Sequence, residues 1–231
     1  MTTNVRPEEL NYSGYEQKVY DREIKLVIPG HTEMHDVIES KALKKAPSNV
    51  SKILELGVGT GLTSERILKN IPKADYTAID FSGGLMEKAI HRLKNYNTHF
   101  IYGDFSKIKF SGKYDIVVSV IGIHHQDNSG KKKLFMKIFN CLNRGGIFIF
   151  GDLVTYRDPF EAALNDAKHY HSLVENMKDK YSLRQWAHHH KFLNILATLE
   201  DQISWLKEVG FGKVEVLYKK FNTVLIVAKK N

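Results

Sequence analysis

The chain has only one cysteine and no long apolar run, and both features limit the compartment in which the protein can act. With Cys141 alone among 231 residues, no intrachain disulfide can form, which favours a reducing compartment such as the cytoplasm. No stretch approaches the roughly 20 apolar residues of a membrane span, and the polar start MTTNVRPEEL is unlike a secretory signal. We therefore expect a cytoplasmic protein that does not act in a membrane.

The charge balance is basic, but it lacks the pattern typical of a nucleic-acid surface. The net charge is +8, and 42% hydrophobic and 26% charged residues are ordinary for a globular domain. The lysines are scattered along the chain, and no arginine-rich stripe with interleaved aromatic residues is present. A solvated basic surface is the favoured interpretation, and tRNA as a partner stays open as an alternative.

Apolar periodicity divides the chain into an alternating core and two helical segments. Residues 1–44 predict an amphipathic helical cap that breaks at Pro29-Gly30. Residues 45–154 and 198–231 form the core, and residues 155–197 predict an inserted helical lid in the same single domain. The predicted strands are residues 51–56, 76–79, 98–102, 114–121, 147–150, 213–218 and 222–228.

These strands predict an α/β fold with a doubly wound, mostly parallel sheet of seven strands. Only a few residues join the last two strands, which is too few for a crossover helix. The last two strands must therefore be antiparallel to each other.

The first predicted strand runs directly into a glycine loop, from Glu55 to Gly61, with the sequence ELGVGTG. Glycines permit positive φ and remove Cβ atoms, so a ligand can lie against this backbone at the carboxyl end of a strand. Dinucleotide loops have the spacing G-x-G-x-x-G, whereas here Leu62 occupies the position of the third glycine. Glu55 would repel a pyrophosphate and attract a cationic amino group, so the loop predicts a ligand that carries such a group.

The E-x-G-x-G-x-G pattern resembles motif I of class I methyltransferases, which use S-adenosylmethionine (SAM) and release S-adenosylhomocysteine (SAH). The resemblance implies a Rossmann-like fold with helical cover segments. It also implies that Asp80 binds the ribose hydroxyls and that Asp104 contacts the adenine amino group. The residues implied to bind the cofactor are Tyr20, Glu55, Gly57, Val58, Gly59, Gly61, Asp80, Phe81, Asp104, Phe105 and Val120.

The resemblance covers about residues 15–230 and is nearest to carboxy-SAM synthases of tRNA wobble-uridine modification and to related bacterial and archaeal methyltransferases. The segments that carry it beyond the glycine loop are YDR at 20–22, IPGH at 28–31, YDIVVS at 114–119, IHH at 123–125, LNRGG at 142–146 and ATLEDQ at 197–202. Carboxy-SAM synthases have an arginine for the extra carboxylate where this chain has Trp205. They have tyrosine in place of His31 and asparagine in place of Val120.

These departures bear on the choice of cofactor. A carboxylate that faces tryptophan and valine loses its charge-assisted partner, at a cost of about 1.5–3 kcal/mol. We therefore predict that the chain uses ordinary SAM.

Histidines are the candidate catalytic groups. His124 and His125 follow the fourth strand, where the loop of this family passes the methyl group, and histidine suits proton removal at neutral pH. His124 is the favoured base, and packing beneath the lid is the alternative for both residues. His31 and Tyr170 are predicted to face the substrate. The triplet at 188–190 points in different directions on a helix, so no metal is expected.

The sequence therefore predicts a SAM-dependent methyltransferase that acts on a small-molecule substrate. Transfer from a sulfonium needs chiefly proximity and alignment, so the fold does not name the acceptor. Two alternatives stay open. A tRNA-modifying enzyme would need clustered lysines at the mouth of the site, and a SAM-binding protein without catalysis would need no acceptor. No sequence pattern indicates an oligomeric state.

Overall fold

A computed structural model describes residue 10 and residues 17–231, which contain one seven-stranded sheet. The strands are β1 Lys52–Leu56, β2 Asp75–Asp80, β3 Thr98–Tyr102, β4 Tyr114–Val120, β5 Leu142–Leu153, β6 Lys213–Lys220 and β7 Thr223–Lys229. Their order across the sheet is β3-β2-β1-β4-β5-β7-β6. β7 is antiparallel to β5 and β6, and the other neighbouring strands are parallel. The predicted doubly wound sheet with an antiparallel closing pair is confirmed.

The helices are α1 Gln17–Val27, α2 His31–Val37, α3 Leu62–Asn70, α4 Gly83–Arg92, α5 Asn128–Cys141, α6 Pro159–Asn176, α7 Lys180–Phe192 and α8 Leu199–Val209. α2 continues into a π turn at Ile38–Ala42 and a 3-10 turn at Leu43–Lys45. Asp127, Asp158, Asp179 and Thr198 cap helices by accepting a backbone hydrogen bond from the third residue after them. Within the described ranges, no helix is both long enough and apolar enough to cross a bilayer.

Apolar side chains pack on both faces of the sheet. One cluster joins the sheet to α5 and α8, and it includes Phe135, Phe148 and Leu206. The other cluster joins it to α2, α3 and α4. Cys141 belongs to the first cluster and burial raises the pKa of its thiol to about 11, so the cysteine is a core residue.

A third apolar cluster joins α1 to α6 and α7 beside the end of β5. Val27 packs there with Leu153 and Trp186. Glu23 of α1 accepts hydrogen bonds from Ser182 Oγ and Trp186 Nε1 of α7, both at 2.9 Å. The predicted cap and lid are therefore helical and in contact where they are described, while residues 1–9 and 11–16 of the predicted cap lie outside the described residues. Their opening and closing as a lid stays a prediction.

Candidate active site

A pocket lies at the carboxyl ends of β1, β2 and β4, with α1 on one side. We call it the cofactor pocket. The residues predicted from the sequence that line it are Tyr20, His31, Gly57, Val58, Gly59, Asp80, Phe81, Phe105, Val120 and His125. These residues come from seven separate segments of the chain, and the parallel strands bring them together at one edge of the sheet.

The glycines of the loop differ in what they do. Gly59 has φ +53°, and a Cβ added there would meet no atom within 4 Å, so the pocket is open to a ligand at this point. A Cβ on Gly61 would lie 3.2 Å from the Cα of Ala89. Gly61 therefore allows α3 to pack closely on α4, and it is not among the residues that line the pocket. Its contact with the cofactor stays a prediction.

Asp80 both shapes the loop and faces the pocket. Its Oδ2 accepts a hydrogen bond from the backbone N–H of Gly59 at 2.7 Å, and its Oδ1 accepts one from Ser82 at 2.8 Å. Burial raises the pKa of this carboxyl. A carboxylate offers about four lone-pair positions, so each oxygen can still accept a second donor such as a ribose hydroxyl.

Glu55 lies behind the pocket and does not line it. Its carboxyl group is fully enclosed and accepts hydrogen bonds from the hydroxyls of Ser64 and Tyr76. Burial raises the pKa of Glu55 to about 8, so the group is largely neutral at pH 7. α3 and β2 enclose the side chain, so Glu55 would act on a ligand only from behind the pocket, and its attraction to a cationic amino group stays a prediction.

Asp104 is also directed away from the pocket. Its Oδ1 accepts a hydrogen bond from the backbone N–H of Ser106 at 2.8 Å, and its Oδ2 lies 3.5 Å from Lys107 Nζ. The next residue, Phe105, does line the pocket and is 6% exposed. Asp104 is not itself among the lining residues, and its contact with adenine stays a prediction.

No lysine or arginine is among the described residues that line the cofactor pocket. Trp205 packs in the core between α5 and α8, with Lys132 Nζ 5.0 Å from its ring centroid. Trp205 therefore does not face the pocket as the family comparison of the sequence implied. His31 does line the pocket, and burial lowers its pKa to about 3, so its imidazole is neutral.

A second, smaller cavity adjoins the first, and we call it the inner cavity. Tyr20, Ile24 and Ile121 line both. The remaining walls are apolar side chains and imidazoles, with one amide: Val27, Ile28, His124, Leu153, His169, Trp186, His189, His190 and Asn194. The histidines of the predicted lid thus meet those that follow β4.

The two predicted catalytic histidines face different spaces. They lie in a 3-10 turn, Ile123–His125, and His124 lines the inner cavity while His125 lines the cofactor pocket. Asp152 of β5 accepts hydrogen bonds from the ring Nδ1 and the backbone N–H of His124. The ring Nδ1 of His125 donates to the carbonyl oxygen of Leu193 at 2.9 Å.

Tyr170 does not reach the inner cavity. It lines a neighbouring cavity with Asp166, and that cavity shares His190 and Asn194 with the inner one, so a contact of Tyr170 with the substrate stays a prediction. The residue before it on α6, His169, is fully buried and lines the inner cavity instead. One residue along a helix turns the side chain by about 100°, so these two neighbours on α6 face different spaces.

Three further residues of the site were missed from the sequence: Asp152, His169 and Trp186. A signal existed for Asp152, because it is a carboxylate at the end of an otherwise apolar strand. No local pattern distinguishes His169 or Trp186, since their role depends on how α6 and α7 pack on α1.

Comparison with known proteins indicates the class of enzyme. A family model described as a methyltransferase domain matches residues 53–146, which hold the glycine loop, Asp80 and both catalytic candidates. The chain is also 26% identical over 233 residues to the carboxy-S-adenosyl-L-methionine synthase of Helicobacter hepaticus, which covers 96% of this chain and 95% of that relative. The matched domain and this relative together support a SAM-dependent methyltransferase of class I. This methyltransferase is therefore an enzyme that uses SAM.

Other methyltransferases match over parts of their length. The malonyl-[acyl-carrier protein] O-methyltransferase of Bacillus anthracis is 28% identical over 116 residues, covering 50% of this methyltransferase and 42% of that relative. The solved structure of an O-methyltransferase family protein from Burkholderia thailandensis has a TM-score of 0.67 at 13% identity, covering 94% of this chain and 61% of that one. This methyltransferase thus spans less than two thirds of either protein, and the likeness to the solved structure shows the fold alone.

Proposed function

We propose that the enzyme transfers a methyl group from ordinary SAM to a small, uncharged molecule that enters the inner cavity with a hydroxyl group. SAM would occupy the cofactor pocket, and the acceptor would approach from the far side of Ile121, which lines both spaces. The carboxyl edge of the sheet is where doubly wound folds bind ligands.

One buried nitrogen atom carries the proposal. The His169 ring is fully buried, and its Nδ1 donates to Asn222 Oδ1 at 2.7 Å. Its Nε2 has no hydrogen-bond partner among the described residues. An unpaired buried acceptor costs about 1–3 kcal/mol, and an acceptor molecule that donates a hydrogen bond to Nε2 would offset this cost.

The walls of the inner cavity indicate the kind of molecule that fits. No aspartate, glutamate, lysine or arginine is among its described lining residues, and Ile24, Val27 and Trp186 supply apolar surface. A charged acceptor would be desolvated there without an ion partner, which is costly. A neutral molecule with an apolar body and one polar group matches the chemistry of these walls, and the lid helices would have to move apart to admit it, because the cavity measures only about 20 Å³.

The same argument bears on the cofactor. The cofactor pocket has no cationic side chain among its described lining residues, and His31 is neutral there. An extra carboxylate on the methyl group would be buried without a charged partner. These observations support ordinary SAM over a carboxylated cofactor. They also give no support to tRNA, whose phosphates would need cations at the mouth.

If the acceptor is a hydroxyl, its proton must leave as the methyl group arrives. His124 lines the inner cavity, and the carboxylate of Asp152 holds its Nδ1. The Nε2 atom of His124 is therefore the group that this chain places to promote proton loss. A carboxylate behind an imidazole sets the tautomer and the orientation of the ring.

A turnover screen tests the proposed acceptor. The enzyme would be incubated with SAM and either a library of small hydroxylated and amine metabolites or total tRNA, and SAH would be measured. We expect SAH from a neutral small molecule and none from tRNA. His169→Phe should raise KM for that acceptor at least tenfold and leave SAM affinity within threefold. His171→Phe, an exposed position on the same helix, is the matched control. Turnover with tRNA alone would contradict the proposal.

A further inference from the structure

Three histidines from two distant segments converge beneath the lid helices. A ring nitrogen of His124, one of His125 and one of His189 lie within 4.8 Å of one another. All three side chains are buried, with exposed fractions of 2%, 5% and 7%. The triplet at 188–190 cannot converge on one ion by itself, as the sequence indicated. The structure instead brings its middle member to the pair that follows β4.

We propose that His124, His125 and His189 bind one divalent transition-metal ion of the zinc type. This proposal rests on the proposed function, because the cluster lies where the two spaces of the site meet. His125 lines the cofactor pocket, and His124 and His189 line the inner cavity. An ion held by all three would lie at the boundary of the two spaces, beside the path from SAM to the acceptor. The sequence did not predict this metal site, because the three histidines come from two segments that are distant in sequence.

Two of the three rings are held as metal-binding histidines usually are. Ligand histidines commonly donate their second ring N–H to a carboxylate or a backbone carbonyl, which fixes the ring orientation. His124 Nδ1 bonds to Asp152, and His125 Nδ1 bonds to the carbonyl oxygen of Leu193 at 2.9 Å. In both rings Nε2 is then the lone-pair nitrogen that can coordinate an ion.

The composition of the cluster selects among metals. Asp152 accepts hydrogen bonds at both oxygens, from the backbone N–H groups of Ile123 and Leu153 and from His124. The carboxylate of Asp152 therefore holds the turn at 123–125. The ligands that remain for an ion are the ring nitrogen atoms of the three histidines. Imidazoles suit Zn²⁺, Co²⁺, Ni²⁺ and Cu²⁺, whereas Mg²⁺ and Ca²⁺ require oxygen ligands.

The spacing fits a site that closes slightly around its ion. Tetrahedral zinc with Zn–N bonds near 2.0–2.1 Å places its nitrogens about 3.3 Å apart. The ring centroids are 4.0 Å apart for His124 and His125 and 5.3 Å apart for His125 and His189. Small rotations of the side chains, chiefly that of His189 on α7, would bring the nitrogens into range.

Three protein ligands leave a fourth position open, as in catalytic zinc sites. That position would face the inner cavity, where the acceptor binds under the proposed function. A metal ion lowers the pKa of a hydroxyl bound to it. With His124 Nε2 bound to the ion, the acceptor proton would leave to water, and the ion would ease this loss in place of direct removal by His124.

The test is metal binding by the full-length chain after treatment with a chelator. We expect one equivalent of Zn²⁺ or Co²⁺ per chain by calorimetry, visible absorption bands from bound Co²⁺, and no binding of Mg²⁺. His189→Ala should weaken Zn²⁺ binding at least tenfold, and Asp152→Asn by about 10–100-fold. His188→Ala is the matched control, because His188 is an exposed neighbour on the same helix and should bind zinc as the parent does.

The variants must remain folded for this comparison. His189 does not line the cofactor pocket, so the His189→Ala protein should still show thermal stabilisation by SAH. Absence of stoichiometric Zn²⁺ and Co²⁺ binding, or binding unchanged by His189→Ala, overturns the metal site. Turnover of a small molecule by metal-free enzyme would then leave the proposed function in place. Zinc binding without such turnover would support the site and count against the proposed acceptor.

Discussion

The carboxylate of Asp152 bonds to His124 twice, once at the ring Nδ1 and once at the backbone N–H, the latter at 2.9 Å. Asp152 lies on β5 and His124 in the turn after β4, so the bonds join the ends of two neighbouring strands. The same carboxylate accepts the backbone N–H of Ile123 at 3.0 Å. The imidazole is thus fixed in place by the core of the protein before any ligand binds.

Replacing this carboxylate should separate catalysis from cofactor binding. In Asp152→Asn, an amide N–H₂ replaces one acceptor and meets a backbone or ring donor. We expect a loss of stability of about 1–3 kcal/mol and a fall in kcat of at least tenfold, with SAM affinity within threefold. Calorimetry with SAM and steady-state kinetics with the acceptor would measure both. A normal kcat in a folded Asp152→Asn protein would show that the orientation of His124 does not matter.

Cofactor binding should be visible as thermal stabilisation. SAM or SAH at about 100 times its Kd stabilises the folded state by about 2.7 kcal/mol, and about 2–4 °C per kcal/mol is typical for a chain of this size. We therefore expect Tm to rise by several degrees with SAH and to stay constant with NAD. A shift with NAD and none with SAH would contradict the assignment.

The space beside Gly59 provides a sharper test of the loop. Gly59→Ala adds a methyl group to the open pocket at φ +53°. We expect SAM affinity to fall at least tenfold, because the methyl group occupies ligand space. Gly145→Ala is the matched control, since Gly145 also has positive φ (+77°) and open space around its Cβ position. Both variants carry a backbone penalty of about 1 kcal/mol, so equal SAM affinity in both would place the ligand elsewhere.

The sequence predicted the fold well where local pattern decides the structure. Alternating apolar segments located the strands, and β3 has the predicted bounds of Thr98–Tyr102. The exception is β5, which was predicted as residues 147–150 and extends over Leu142–Leu153. At its start, Leu142 of β5 pairs with Tyr114 of β4. The next pair is Ile147 with Ile116, so residues 143–146, which read as a turn in the sequence, form no pairs with β4. Such pairing depends on the neighbouring strand, which a local pattern does not contain.

The site was less predictable, because its chemistry depends on which segments meet. Motif spacing placed Gly59 and Asp80 at the pocket, since Gly59 follows β1 and Asp80 ends β2 at one edge of the sheet. The same spacing does not show how Glu55 and Asp104 are oriented, because a carboxylate in register can bond to the core or to its own loop. His189 meets His124 and His125 because of how the helices pack. No local sequence pattern predicts this contact.

Burial of Glu55 should make stability depend on pH in a defined direction. Its pKa is about 8 in the folded protein against a usual value of about 4.5. Between these values the folded state keeps a proton that the unfolded state has lost, so stability must fall as pH rises. Buried histidines such as His31, whose pKa is about 3 when folded, act in the opposite direction below about pH 6.5.

The two effects separate between pH 6.5 and 8, where only Glu55 of these groups still titrates differently in the two states. We expect Tm to fall across this range for the parent and to change less for Glu55→Gln, which keeps a neutral hydrogen-bonding group. Glu87→Gln, at an exposed position, should follow the parent. Thermal unfolding in matched buffers measures the slopes. Identical slopes for the parent and Glu55→Gln would show that Glu55 is ionised in the folded protein.

The helices over the site should tighten when the cofactor binds. Asp21 of α1 accepts hydrogen bonds from Thr60 Oγ1 in the glycine loop and from the guanidinium of Arg92 on α4, and Arg92 also bonds to the carbonyl oxygen of Thr60 at 2.9 Å. The loop that would hold SAM is thus connected directly to the cap. Ordering of the loop by a ligand should therefore reduce the opening of α1 and of the lid helix α7, to which α1 is bound through Glu23.

Hydrogen exchange with and without SAH measures this coupling. We expect slower exchange with SAH in residues 17–44 and 155–197, and little change in α5 and α8, which lie in the first core cluster. Asp21→Asn removes the charge that holds Arg92, so α1 should exchange faster in this variant and gain less protection from SAH. Lys25→Gln, a change of charge on the same helix, is the control. Equal exchange of both segments in the two states would make them fixed parts of the structure and would rule out a gate.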